Sequence, residues 1–395
     1  MLENTHMKYV PRQLEGALRN AAKVFAAVVL TGPRRAGKTM LLRHALPRAS
    51  YRLFEDPDII ARFRADPRGF LDELTPPVIL DEIQSVPEIF RYVRSRIDAA
   101  PRRTGQWFLT GSQEAGLMRN VTESMAGRAA VLQLLPFSAR ETDKVTLLRG
   151  GYPEVLARPR TRQLWFASYL QTYLERDVRS ITAIQDLATF RRFLDLVASR
   201  HGQILNRTDL AAPLGVSVPT ISRWLDVLET TGQVLVVPPY FDNLGKRLIK
   251  SPKVYIADSG LACHLLGITS EAELRRSPFR GDLFEGLVAA EIVKAQLHRG
   301  LRRQLWYFRD QTGLEVDFVV PGKGSSLRWV EVKATATPRP GMAQPMIRLA
   351  KARGGKGARD ERYVVHEPAK TPASTSALAK GVRALPWPDF VRDVC

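Results

Sequence analysis

The stretch Val28-Val29-Leu30-Thr31-Gly32-Pro33-Arg34-Arg35-Ala36-Gly37-Lys38-Thr39 decides how the rest of the chain is read. An apolar run suited to a buried strand enters a turn bracketed by glycines, and Met40-Leu41-Leu42 then opens a helix. Gly32 and Gly37 stand at the spacing G-x-x-x-x-G-K-[ST], in which glycines let the backbone curl until several N–H groups converge on one anion at a helix N-terminus. Gly32, Pro33, Arg34, Arg35, Ala36, Gly37, Lys38, Thr39 and Met40 are therefore expected to cradle the phosphates of a nucleotide. Lys38 would reach the β- and γ-phosphates and Thr39 would ligate Mg²⁺. ATP and Mg²⁺ are the cofactors this pattern implies.

A second piece lies where such a sheet needs it. Pro77-Val78-Ile79-Leu80-Asp81-Glu82 reads as a buried parallel strand delivering two carboxylates at its C-terminal end, the edge at which open α/β sheets bind ligands. Asp81 is expected to hold Mg²⁺ through its water and Glu82 to orient the water that attacks the γ-phosphate. Trp107-Phe108-Leu109-Thr110-Gly111-Ser112 reads as a further strand, and Thr110 or Ser112 could sense the γ-phosphate or that water. Met125-Ala126-Gly127-Arg128 precedes another apolar run, Val131 to Leu135. Arg128 is either a solvated surface group or a finger offered to a neighbouring subunit in an oligomer. Arg12, in a loosely helical segment before the first strand, could approach the nucleotide.

The chain has 395 residues, enough for two or three domains, and its 45% apolar content is that of a globular protein. Its 59 Lys and Arg against 40 Asp and Glu give a formal charge of +19, which favours polyanions, DNA first. Only two cysteines are present, Cys263 and Cys395, without metal-ligand spacing, so a disulfide framework and a zinc site are not implied. No apolar run reaches the roughly 18 residues of a membrane span, and the first residues lack the apolar segment of a signal peptide. A cytoplasmic protein with no membrane partner is expected.

Strand and helix alternate through the first part: Tyr51-Arg52-Leu53-Phe54 as a strand, Glu55-Asp56-Pro57-Asp58 as a turn and cap, helices around Ile59 to Phe63 and Ile89 to Ile97. The alternation predicts a parallel sheet with helices on both faces over 1–140. Beyond Pro136, Trp165, Tyr169 and Tyr173 recur at helical spacing, and 141–188 is expected to form a helical lid packed on that core.

Residues 189–260 carry helix-turn-helix grammar. Thr208 to Gly215 reads as a short helix, Val216-Ser217-Val218 as the turn, and Pro219 to Leu228 as a second helix. Ile221, Trp224, Leu225 and Leu228 should be buried, which leaves Thr220, Ser222, Arg223 and Asp226 facing out, with Arg223 most able to meet a base or phosphate. Val234 to Val237 and Val254 to Ile256 flank a loop bearing Lys246, Arg247, Lys250 and Lys253, the strands and loop of a wing. The same unit could instead serve protein contacts.

In 261–395, carboxylates gather. Glu285 shares a helix face with Val288, Ala289 and Ile292, Asp317 lies in the strand Glu315 to Val320, and Glu331 and Lys333 point to one side of the strand Arg328 to Lys333. Glu285, Asp317, Glu331 and Lys333 could hold Mg²⁺ and a lysine-polarised water against a scissile phosphate. The alternative is an ion-paired cluster at the end of a sheet.

Taken together, the chain resembles a large family of prokaryotic AAA-type ATPases in which a P-loop core precedes a C-terminal domain of unknown function. The resemblance rests on Gly32 to Thr39, Leu80-Asp81-Glu82-Ile83-Gln84, Leu109 to Ser112, Ala126-Gly127-Arg128, Gly150-Gly151-Tyr152-Pro153-Glu154, Tyr173 to Asp177 and Lys253 to Leu261. The segments Glu315-Val316-Asp317-Phe318 and Glu331-Val332-Lys333 are similar to the part of that family related to PD-(D/E)XK nucleases. The resemblance implies an α/β fold: a P-loop AAA-type ATPase core, helical lid, winged-helix domain and C-terminal restriction-endonuclease-like domain. It implies ATP hydrolysis at Lys38, Thr39, Asp81 and Glu82, with Arg128 a finger in a homo-oligomer. Two functions are expected from it: an ATPase acting on DNA, or a nucleotide-dependent regulatory switch that binds a protein partner and cuts nothing.

Overall fold

A computed structural model of the chain describes residues 9–111, 123–173, 186–240, 251–353, 359–369 and 376–395. Ser112, Lys246, Arg247, Lys250 and the segment Leu174 to Arg179 lie outside the described residues.

The first unit is a parallel sheet. Strands β1 (Ala27–Thr31), β2 (Ser50–Leu53), β3 (Val78–Asp81), β4 (Trp107–Thr110) and β5 (Ala129–Gln133) stand in the order β2-β3-β4-β1-β5, every neighbouring pair parallel. β1 is buried along its whole length, which is why it reads as a continuous apolar run and not an alternation. Its side chains nevertheless sort by period two. Val29 joins Leu80, Leu109, Phe63, Phe90 and Val93 on one face, where α3 (Pro57–Ala65), α4 (Pro67–Asp72) and α5 (Ile89–Ala99) pack. Val28 and Leu30 join Leu14, Leu18, Leu41 and Leu42 on the other, under α1 (Leu14–Val24) and α2 (Lys38–Ala45). The turn chemistry is as the sequence suggests: Asp56 caps α3 by accepting from Asp58 N at 2.9 Å.

The middle unit is helical, and here one expectation is corrected. The aromatic stripe of α7 (Arg162–Tyr173), with Tyr152 just before α6 (Pro153–Ala157), does not pack on the ATPase sheet. Phe166, Tyr169 and Leu170 share a core with Phe190 and Phe193 of α8 (Leu187–Ser199), Leu210 of α9 (Arg207–Ala211) and Trp224, Leu225 and Leu228 of α10 (Val218–Thr230). Lid and helix-turn-helix segments are thus one body. The turn into α10 carries Gly215 at φ 65, and Ser217 caps α10 by accepting from Thr220 N at 3.3 Å. Strands β6 (Val234–Val237) and β7 (Lys253–Ile256) pair antiparallel, while α11 (Ser259–Leu265) and α12 (Glu271–Arg276) complete the unit.

The third unit is a mixed six-stranded sheet, ordered β12-β13-β11-β10-β9-β8. Its strands are β8 (Trp306–Arg309), β9 (Glu315–Pro321), β10 (Leu327–Lys333), β11 (Glu361–His366), β12 (Ala377–Ala379) and β13 (Val382–Pro386). The long helix α13 (Arg280–Leu297) covers one face together with Trp387 and Phe390 of α15 (Trp387–Asp393), and α14 (Gln344–Arg353) supplies Met346 and Leu349 to the other. α13 is buried almost all round, Glu291 and Lys294 included. Those two pair at 2.8 Å and hold the segment after β5, Glu291 accepting from Ala139 N at 2.7 Å and Lys294 donating to Phe137 O at 2.9 Å.

Candidate functional site: the glycine loop and its carboxylates

β1 delivers the loop to the C-terminal edge of the sheet, where Gly32 lies so close to Leu134 that a Cβ would stand 2.0 Å from its carbonyl oxygen. Only glycine fits there. At the other end Gly37, at φ 98, opens α2 without any side-chain cap, so the first N–H groups of the helix are left for an anion. Lys38 is buried and its Nζ donates to the carbonyls of Gly32 and Pro33 at 3.0 and 3.2 Å. Pro33 and Ala36 are buried in the loop, while Arg35, at φ 62, and Met40, 56% exposed, face outward.

Asp81, at the end of β3 and 1% exposed, is met by three hydroxyls. Thr39 Oγ1 donates to Oδ2 at 2.8 Å, Tyr51 OH to the same oxygen at 2.7 Å, and Thr110 Oγ1 to Oδ1. Burial and the neighbouring Asp81 push the Tyr51 phenol well above its ordinary pKa, so it stays a donor. Glu82 sits in the left-handed region at φ 56, its N–H donating to Thr110 Oγ1 at 3.3 Å. Its carboxylate accepts from Gln84 Nε2 at 2.5 Å and faces Arg34 at 3.7 Å, with Arg34 also 3.7 Å from Glu55. A threonine hydroxyl and a strand-end carboxylate in contact, beside uncapped helix N–H groups, are the hard-oxygen donor set that suits Mg²⁺ held jointly with phosphate oxygens. Thr110 is committed to Asp81 and Glu82 and so positions them. Tyr51, Gln84 and Arg34's hold on Glu82 were not foreseen.

Arg12 is placed near the loop, as a brace. It is 4% exposed, donates to Ala36 O at 2.8 Å and Leu135 O at 2.6 Å, and pairs with Glu141 at 3.0 Å. His298, just past α13, completes the joint: its Nε2 accepts from Leu135 N at 3.1 Å and its Nδ1 lies 3.4 Å from Glu141. Burial lowers the His298 pKa, keeping the ring neutral, and against the effect of burial His298 and Arg12 hold Glu141 well below the usual carboxylate range. Arg128 is elsewhere. Its carbonyl accepts from Ala27 N, at the edge of the sheet opposite the loop, about 20 Å away along β1. Its guanidinium pairs with Asp98, so a role as finger within its own subunit is ruled out by distance.

On α10, Ile221, Trp224, Leu225 and Leu228 are buried as expected, Arg223 and Asp226 are exposed, and Thr220 and Ser222 are half-buried. Lys253 departs from expectation. It opens β7 with its side chain 5% exposed and its ammonium among carboxylates of the C-terminal sheet, so it is no part of a basic wing.

In the C-terminal unit, the structure brings Glu285, Asp317, Glu331 and Lys333 together. Asp317 accepts from Val332 N at 2.7 Å, and Glu331 pairs with Lys333 at 2.7 Å. Burial and the Asp317 charge push the Glu285 and Glu331 carboxyls each up to about 8, and burial raises Asp317 as well. Like charges this close share protons near neutrality. No group of three or more His, Cys, Asp or Glu among the described residues is arranged to hold a metal ion, so the geometry does not fit the Mg²⁺ read from sequence into this cluster.

A parallel sheet whose central strand enters an uncapped glycine loop, with lysine, threonine and a strand-end carboxylate converging on it, defines a P-loop ATPase. Residues 24–142 match the family described as an AAA domain, 142–272 a domain of unknown function (DUF8612), and 280–390 another (DUF4143). The chain is 33% identical over 334 residues to the proteins Rv2008c of Mycobacterium tuberculosis and Mb2031c of Mycobacterium bovis, covering 83% of this chain and 74% of each relative. The chain belongs to this family, AAA-type P-loop ATPases with a DUF4143 domain on the C-terminal side. Among solved structures it is similar to the Walker-type ATPase paby2304 of Pyrococcus abyssi, at 17% identity and TM-score 0.44, covering 64% of this chain and 94% of that one. No helix among the described residues is long and apolar enough to cross a membrane.

Proposed function

We propose that the chain is a cytoplasmic, homo-oligomeric, Mg²⁺-dependent ATP hydrolase that acts on DNA. The observation that carries the hydrolase reading is the contact of Thr39 with Asp81, Glu82 following at the same strand end. The loop N–H groups and Lys38 would hold the β- and γ-phosphates, Thr39 and Asp81 the Mg²⁺, and Glu82 would orient the attacking water once released from Gln84 and Arg34. Mg²⁺, when bound, supplies charge stabilisation on the transferring phosphoryl group. Arg128, far from its own loop and on the surface, is available to a neighbouring subunit after exchanging Asp98 for that site.

For DNA, we take α8, α9, α10 and the β6–β7 pair as a winged helix. Arg223 on the exposed face of α10 and the +19 charge support it. A Cβ on Gly232, in the turn after α10, would lie 3.5 Å from Pro33 of the loop, so the two halves touch. For the C-terminal sheet we keep the nuclease-like fold and leave out cleavage. A second reading, a nucleotide-dependent switch that binds a protein partner and cuts nothing, is favoured by the ion-paired state of that cluster.

Steady-state ATP turnover with and without duplex or single-stranded DNA decides between them, with Lys38→Ala as the blank. Glu82→Gln should retain nucleotide and lose about 10²-fold or more in turnover. Stimulation by DNA supports the first reading. Turnover lost in the blank and indifferent to DNA supports the switch.

A further inference from the structure

Lys253 reaches across from the middle unit into the C-terminal one. Its Nζ lies 2.6 Å from Glu315 Oε1, 3.0 Å from Glu285 Oε1 and 4.0 Å from Asp317 Oδ1, over the Tyr307 ring at 5.5 Å. Tyr255, two residues on and on the same side of β7, donates to Glu285 Oε1 at 2.5 Å. Glu315 is also met by Arg309 at 3.1 Å, and Lys333 holds Glu331 from the far side. The carboxylates come from α13, β9 and β10, so the lysine is shared by three elements of a domain it does not belong to. Glu331 is 5% exposed, and its second oxygen, Oε2, has no hydrogen-bond partner. A buried carboxylate oxygen left unpaired beside two other acids is the donor chemistry that a hard divalent cation takes.

We infer that Lys253 stands in for a divalent cation in the Glu285–Glu315–Asp317 cluster, so that β7 plugs a carboxylate site of the C-terminal domain and keeps metal out of it. The chemistry is an exchange of one cation for another. An ammonium supplies a single charge and three donors to acids that would otherwise be buried and uncompensated. With the lysine removed, a small divalent cation is the one replacement that restores both charge and ligation.

The test uses the full chain without nucleotide or DNA, so it stands apart from the ATPase reading, and Mn²⁺ alone as the probe. Thermal unfolding is followed as Mn²⁺ is raised, with binding counted by loss of the free-ion spin-resonance signal. Lys253→Met should gain one Mn²⁺ site and a midpoint rise of about 3 °C or more at a concentration 100-fold above its dissociation constant. Wild type should show neither. The double variant Lys253→Met/Asp317→Asn should lose the response. Equal responses in wild type and Lys253→Met, or none in Lys253→Met, overturn the proposal. Should Lys253→Met not fold, the titration passes to Lys253→Met/Glu315→Gln, which removes one negative charge with the positive one and keeps Glu285, Asp317 and Glu331. No Mn²⁺ response there overturns it equally.

Discussion

Asp81 gathers hydroxyls from three elements, and that convergence sets what a single substitution should do. Tyr51 is the donor that sequence left invisible. It occupies β2 opposite Ile79, so it shares a side with the residue two further on, and only the β2–β3 register shows that it reaches Asp81. Tyr51→Phe removes one hydrogen bond to a charged acceptor, worth about 1.5 kcal/mol. The Mg²⁺ concentration for half-maximal ATP turnover should rise about tenfold, and a Mg²⁺ titration at saturating ATP checks it. Asp81 and Glu82 themselves were legible because strand, acid pair and glycine loop follow one another in sequence at a recognisable spacing. Glu331 gives a second test. Its carboxyl is pushed from 4.5 up to about 8, by burial first and then by Asp317, against the pull of Lys333. The folded chain therefore binds more protons than the unfolded chain between those values, and this group's stabilisation is present in acid and lost as pH rises toward 8. Glu331→Gln should flatten that fall in chemical-denaturation curves taken from pH 5 to 8.

At the scale of elements, α10 behaved as its pattern required, because a 3.6-residue period is a local property that survives whatever the helix meets. Its outward face carries the next prediction. Arg223→Ala should weaken duplex binding across sequences and lower the slope of log affinity against log salt by about 1, measured by anisotropy at several salt concentrations. An unchanged slope would move α10 toward protein contacts. The stripe on α7 shows the limit of periodicity. Spacing told that Tyr169 and Phe166 would be buried, and nothing in it told that their partners are Phe190, Phe193 and Leu225, not the ATPase sheet. Lys253 fails for the same reason. In a run of lysines it reads as solvated, and its burial is decided by β9 and α13, which lie across from it in space and well downstream in the chain.

At the scale of the molecule, the three units meet through polar joints. The Arg12–Glu141–His298 group ties the glycine loop to the far end of α13. Arg12→Ala leaves a buried carboxylate without its cation, and the loss of about 3–5 kcal/mol expected for a broken buried pair should appear in unfolding. ATP turnover should fall with it, since the carbonyl of Ala36 loses its brace. Stability lost with full turnover would separate the brace from the loop. α13 then has a further consequence. Glu285 belongs to the acidic cluster near its start, and His298 serves the ATPase loop just past its end, about 20 Å apart at 1.5 Å per residue. Each residue also turns the helix by about 100°, so removing one between them would swing one end away from its partners while the other stayed seated. The helix is a ruler with a phase as well as a length, and a chain that keeps both ends engaged has no freedom to gain or lose a single residue along it.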